Sequence, residues 1–186
     1  MTAQARKNQR SKKMKIAEKL HGAQTLQELF ELAKDVVWRY LKMEQAGLMV
    51  GLAELGMSAD AVLGAYYSPD ANTIVINKTV MSQVSRLDDR PLYNSYCFYI
   101  LLHEYLHSCG FYDEAENRQI VAAIAVQEFG PDHAVTKLAT TNDAMLKLIK
   151  AGMLNNKRSA SSVPAVADGG IEFIEGIDRR NTNYIM

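Results

Sequence analysis

DDRPLYNSYCFYILLHEYLHSCG, residues 88–110, is the stretch on which the architecture turns. Asp88-Asp89 stands before Arg90-Pro91, and an aspartate cap followed by proline in the first turn is a helix start. Beyond it Phe98, Tyr99, Ile100, Leu101, Leu102 and Leu106 leave hardly any side of the helix polar. A helix apolar nearly all round has to be buried. The spacing therefore predicts a central buried helix from about residue 90 to Cys109, with Gly110 as the residue that lets the chain leave it.

The surroundings supply what that helix packs against. Thr25 and Glu28 have the spacing of a capping box. Behind them Leu26, Leu29, Phe30, Ala33, Val36, Val37 and Tyr40 recur at helical period, predicting a helix of about 20 residues that ends near Gly47. The period then shortens. Val62–Tyr67 and Thr73–Asn77 read as strands around the turn Ser68-Pro69-Asp70-Ala71-Asn72, and residues 48–53 as a third. Residues 79–87 predict a short helix. Asp113 and Glu116 open a further helix that Gly130-Pro131 closes, and a last helix fits residues 132–151. Trp38 and the Tyr66-Tyr67 pair are read as core and edge-strand packing. The expected fold is α+β: an N-terminal helix, a small sheet of two or three strands, the buried helix, then two more helices.

The buried helix carries His103-Glu104-Tyr105-Leu106-His107. Histidines four apart share one helix face, so both imidazoles reach one metal ion, and imidazole suits zinc. Glu104 sits about 100° further round, placed to take a proton from a metal-activated water rather than to bind the ion. With four histidines in 186 residues, chance yields such an H-E-x-x-H in about 0.005 chains of this composition. The two histidines are therefore read as a ligand pair and not as separate core side chains.

Over residues 48–130 the chain resembles the zincin metallopeptidases, in which a small sheet precedes an H-E-x-x-H helix and another helix follows. That resemblance implies zinc on His103 and His107, Glu104 as general base, and hydrolysis of a peptide or protein substrate. It also implies that a strand before the helix, Thr73–Asn77 or Val62–Tyr67, holds the substrate by strand addition. Extended, the motif is H-E-Y-L-H-S-C-G-F-Y-D, similar to the metzincin pattern H-E-x-x-H-x-x-G-x-x-H with Asp113 at the last ligand. No metzincin Met-turn is visible. Gluzincin-like enzymes take a glutamate from the next helix, which Glu114 or Glu116 can supply. An SprT-like arrangement brings in His133. Asp113 stands first, with His133 and Glu116 open. His133 or Tyr112 can also serve an oxyanion. Cys109 is read as a small buried residue before it is read as a ligand.

The overall charge is zero, yet residues 1–20 carry +6 and the remainder −6. Such asymmetry permits contact with a nucleic acid or ribonucleoprotein through residues 1–20. The alternative function is accordingly a non-catalytic or regulatory zincin-fold protein that binds such an assembly through its ends. The expected organisation is a basic arm (1–23), a catalytic domain (24–153), a linker (154–170) and a docking tail (171–186). Along an edge strand, that tail would be inhibitory. No apolar run is long enough to span a membrane, and no secretory signal pattern follows the basic start. Cys97 and Cys109, twelve apart on one helix, lie roughly 18 Å apart and cannot pair, which fits a cytoplasmic setting.

Overall fold

The computed structural model describes residues 16–57, 62–141, 143–156 and 170–177. Seven helices and a four-stranded mixed sheet are found among them: α1 (residues 16–22), α2 (Leu26–Leu41), β1 (Met49–Ala53), β2 (Ala65–Ser68), β3 (Thr73–Asn77), α3 (Lys78–Ser85), α4 (Arg90–Ser108), α5 (Glu114–Phe129), α6 (Ala134–Thr140), α7 (Ala144–Asn156) and β4 (Glu172–Phe173). The strand order is β2-β3-β1-β4. β1 runs parallel to β3, while β2 on β3 and β4 on β1 are antiparallel. The α+β expectation holds.

α4 is the axis of the molecule. The Asp89 carboxylate accepts from the backbone N–H of Leu92 at 2.9 Å, and Pro91 lies in the first turn. Tyr96, Phe98, Leu101, Leu102, Tyr105 and Leu106 are fully buried. They pack with Phe30, Val36 and Val37 of α2 and with Val50, Ile74 and Ile76 of the sheet. The helix ends in a Schellman turn: Phe111 N–H bonds the Leu106 carbonyl, Gly110 N–H bonds the His107 carbonyl, and Gly110 takes φ +102°. That turn folds the chain back so that α5 starts beside the end of α4.

The departures from expectation have physical causes. α2 ends at Leu41, where Lys42 adopts φ 57°, rather than near Gly47. Residues 42–47 are drawn off by partners remote in sequence: Gln45 N–H donates to the Tyr105 hydroxyl, and Asn72 Nδ2 to the Ala46 carbonyl. The stretch 132–151 is two helices, because Thr141 is extended and Thr140 returns its hydroxyl to the Thr136 carbonyl. Thr, Asn and Asp favour such breaks over helix interiors. Trp38 is 49% exposed on the outer side of α2, under the Lys42 ammonium, and not in the core. Tyr66 and Tyr67 do lie on an edge strand.

Residues 16–22 and 170–177, towards either end of the chain, join the body. Residues 16–22, within the stretch expected as an arm, are helical, with Ile16 and Leu20 buried. Residues 1–15, which carry most of the basic charge, lie outside the described residues. So do 157–169 of the expected linker and 178–186 of the tail. The described part of the tail forms β4. Cys97 and Cys109 are both free thiols. No helix among the described residues is long and apolar enough to cross a membrane.

Candidate metal centre

His103 and His107 project from the last turns of α4, and the Schellman turn brings Glu114, the first residue of α5, opposite them. His103 Nε2 lies 3.2 Å from His107 Nε2, His107 Nε2 lies 3.2 Å from Glu114 Oε1, and His103 Nε2 lies 3.4 Å from the same oxygen. Donors held at about 2.0–2.1 Å from a tetrahedral zinc sit about 3.3–3.4 Å from one another. The triangle therefore has the size of three ligands on one ion. It is the one such group of three among the described residues.

The surrounding hydrogen bonds fit that use. The Phe111 carbonyl lies 2.8 Å from His107 Nδ1, and a carbonyl can only accept, so Nδ1 carries the hydrogen. The Nε2 lone pair then points into the triangle, as a ligand tautomer requires. Asn117, fully buried on α5, donates to the carbonyls of His103 and Phe111 and ties both helices to the turn. Glu114 Oε2 accepts from Arg118 Nε at 3.2 Å, leaving Oε1 for the triangle. His103 Nδ1 is buried without a hydrogen-bond partner.

Electrostatics separate the roles. Burial lowers the His103 imidazole, against an opposing pull from the Glu114 carboxylate. For Glu114, burial acts upwards, but the His103 and His107 rings together bring it below its ordinary value. Glu104, only 7% exposed, is pushed up to about 7, first by burial and then by the charge of Glu114. Its carboxylate accepts from the backbone N–H of Tyr67 on β2, which pulls the other way. A carboxyl held near neutrality beside a ligand cluster has the proton affinity wanted of a general base.

The Tyr67 contact also identifies the strand that borders the site. Asn77 N–H donates to the Gly64 carbonyl at 2.9 Å. Since antiparallel strands alternate direction, Gly64, Tyr66 and Ser68 face β3, while Ala65 and Tyr67 face the open edge. β3 itself is interior, flanked by β2 and β1, so Thr73–Asn77 has no free edge for a substrate strand. β2 does.

The other predicted residues stand elsewhere. The Asp113 carboxylate caps α5 by accepting from Glu116 N–H at 2.8 Å, and Glu116 is exposed. Neither belongs to the triangle; Glu114, between them in meaning and position, does. His133 caps α6 and pairs with His21. The His21 carbonyl accepts from Asn94, nine residues before His103 and so about 14 Å away along α4. Tyr112 is 62% exposed on the turn, and Cys109 caps α4 outside the cluster. Asn117, Arg118 and the Tyr67 N–H were not foreseen. The Glu114/Arg118 spacing of four was a readable signal for one of them.

Comparison with known proteins finds no matching family model, no matching curated protein and no matching solved structure. Geometry and chemistry carry the functional reading.

Proposed function

We propose that this chain is a zincin-like, zinc-dependent metallopeptidase with His103, His107 and Glu114 as ligands and Glu104 as general base. The observation that supports it most is the triangle of three acceptor atoms at ligand spacing, with a buried carboxylate next to it that takes no part in the triangle. A histidine Nε2 lone pair and a carboxylate oxygen 3.2 Å apart repel unless a cation or proton lies between them. When bound, zinc supplies Lewis-acid polarisation and brings water towards deprotonation near neutral pH.

The remaining steps belong to the chain's own residues. Glu104 accepts the proton of the attacking water and returns it to the leaving amine nitrogen. The Tyr67 N–H holds that carboxylate in place from β2. The open edge of β2 takes an extended peptide as an added strand, with the Ala65 N–H and the carbonyls of Ala65 and Tyr67 as its partners, the Tyr67 N–H being held by Glu104. Arg118 fixes Glu114, the third ligand, and Asn117 fixes the turn from which it comes.

Elemental analysis of purified protein tests the site, and peptide hydrolysis tests the reaction. One zinc per chain is expected in the wild type and in Glu104→Gln, and none in His103→Ala. Glu104→Gln should lose at least about a hundredfold in rate, as expected for a general base. Hydrolysis persisting in Glu104→Gln would overturn the mechanism. Full zinc occupancy in Glu114→Ala, with unchanged affinity, would overturn the ligand assignment.

A further inference from the structure

The sheet has a second edge, on the far side from the metal centre, and the chain's own tail occupies it. β4 lies antiparallel on β1, with Phe173 opposite Gly51 and Glu172 opposite Leu52. Ile174 N–H donates to the Val50 carbonyl at 2.9 Å. In the order β2-β3-β1-β4, three strand spacings of about 4.8 Å separate this edge from the strand that contacts Glu104. The described part of the tail, residues 171–177, lies away from the β2 edge, so among the described residues no contact supports the expected inhibitory role.

The edge of β1 is shaped for what it holds. A Cβ on Gly51 would come within 2.2 Å of Ile171 Cγ2, so a side chain there has to displace Ile171 as the strand comes in. Lys78, at the start of α3, grips the Glu172 carboxylate at 2.8 Å. Gln27 of α2 donates to the Gly176 carbonyl at 3.1 Å. Ile177 is then 3% exposed and seated in the core. Three separate elements thus read an acid, a carbonyl and an apolar anchor along one extended segment. The segment meanwhile gives little back to the fold: its ladder is two residues long, and Ile171 and Phe173 remain 40% and 49% exposed. Tethering makes such docking intramolecular, so a few contacts suffice.

We propose that the β1 edge is a strand-acceptor site and that residues 170–177 are its exchangeable occupant in cis. An extended peptide with the same order of features, apolar–acidic–aromatic–apolar followed by a glycine–isoleucine anchor, is the partner that fits it. The proposal is independent of the metal reading, since no residue is shared with that site.

The test uses the full chain with a specific protease site introduced between residues 160 and 165. A fluorescent peptide of residues 168–180 is titrated, followed by anisotropy, against uncut and cut protein. Binding to the cut protein and at least about tenfold weaker binding to the uncut one are expected, because the tethered tail competes. Gly51→Val should weaken binding, because Ile171 must move aside. Lys78→Glu should weaken it about threefold to tenfold, and a peptide carrying Glu172→Lys should restore it. Cut protein that takes up no peptide overturns the proposal, whether its fragment stays fixed or its circular dichroism shows unfolding. Equal binding to cut and uncut protein, or no effect of the Lys78/Glu172 charge swap, overturns it equally.

Discussion

Glu114 works through its two oxygens. Oε1 faces both histidines, while Oε2 is held by Arg118, whose side chain is 66% exposed. Removing that hold leaves the proposed ligand in place but free to rotate. Arg118→Ala is therefore expected to weaken zinc binding about tenfold, the low end for a residue that orients a ligand, given its exposure. Chelator competition at fixed pH reads this, with the apo protein's thermal midpoint unchanged. Asn117 differs because it is fully buried and its amide serves two carbonyls. The Phe111 carbonyl it touches is the one that sets the His107 tautomer. Asn117→Ala leaves both carbonyls short of a donor and should cost about 1–3 kcal/mol in urea unfolding of the apo protein. It should weaken zinc binding as well. Loss of stability with unaltered zinc affinity would separate Asn117 from the site.

The element that makes the centre is the turn between α4 and α5. Gly110 at φ +102° has backbone geometry that an L side chain resists. Gly110→Ala is expected to destabilise by about 1–2 kcal/mol and to displace Glu114, lowering zinc affinity in parallel. Gly22→Ala is the control. It has open space around an added Cβ and no positive φ, so its denaturation midpoint should hold or rise. A Gly110→Ala midpoint equal to that of Gly22→Ala would sink the argument. This turn also marks how far the sequence was legible. α4 was readable end to end because its signals are local: Asp89 and Pro91 at the start, an apolar run, Gly110 at the stop. The same local signals placed the H-E-x-x-H on it. They could not choose among Asp113, Glu114 and Glu116, which are neighbours in sequence. Cap geometry distinguishes them: the Asp113 carboxylate accepts from the Glu116 N–H, and Glu114 faces the histidines of α4. Where the chain is governed by distant partners, local reading stopped short. Tyr105 and Asn72 end the α2 region early, and β4 exists through Val50, Lys78 and Gln27 rather than through any preference of Glu172–Phe173.

At the scale of the whole molecule, the chain's first and later helices are joined by a histidine pair. His21 of α1 and His133 at the start of α6, 112 positions apart, bring their Nε2 atoms to 3.2 Å, with the rings nearly parallel and their centres 5.2 Å apart. His133 Nδ1 accepts from Val135 N–H, so in the neutral ring Nε2 carries the hydrogen and donates to His21. Phe129 stacks on His133 with ring centres 4.7 Å apart. Burial, with smaller contributions from His21 and Lys137, lowers His133 from its ordinary 6.5 to about 4. Between those two values the unfolded chain binds a proton that the folded chain refuses. Stability from this site is therefore complete above about pH 6.5 and drains away as the pH falls towards about 4. The full shift would correspond to about 3 kcal/mol, but His133 is partly exposed, and solvent screening reduces the expected loss to about 1–2 kcal/mol. His133→Asn isolates the effect, since asparagine keeps the helix cap and cannot titrate. Urea unfolding of the metal-free protein at intervals from pH 7 to pH 4 should show a slope for the wild type that is reduced in His133→Asn. Parallel curves across that window would mean that α1 is held to α6 without any contribution from the His133 proton.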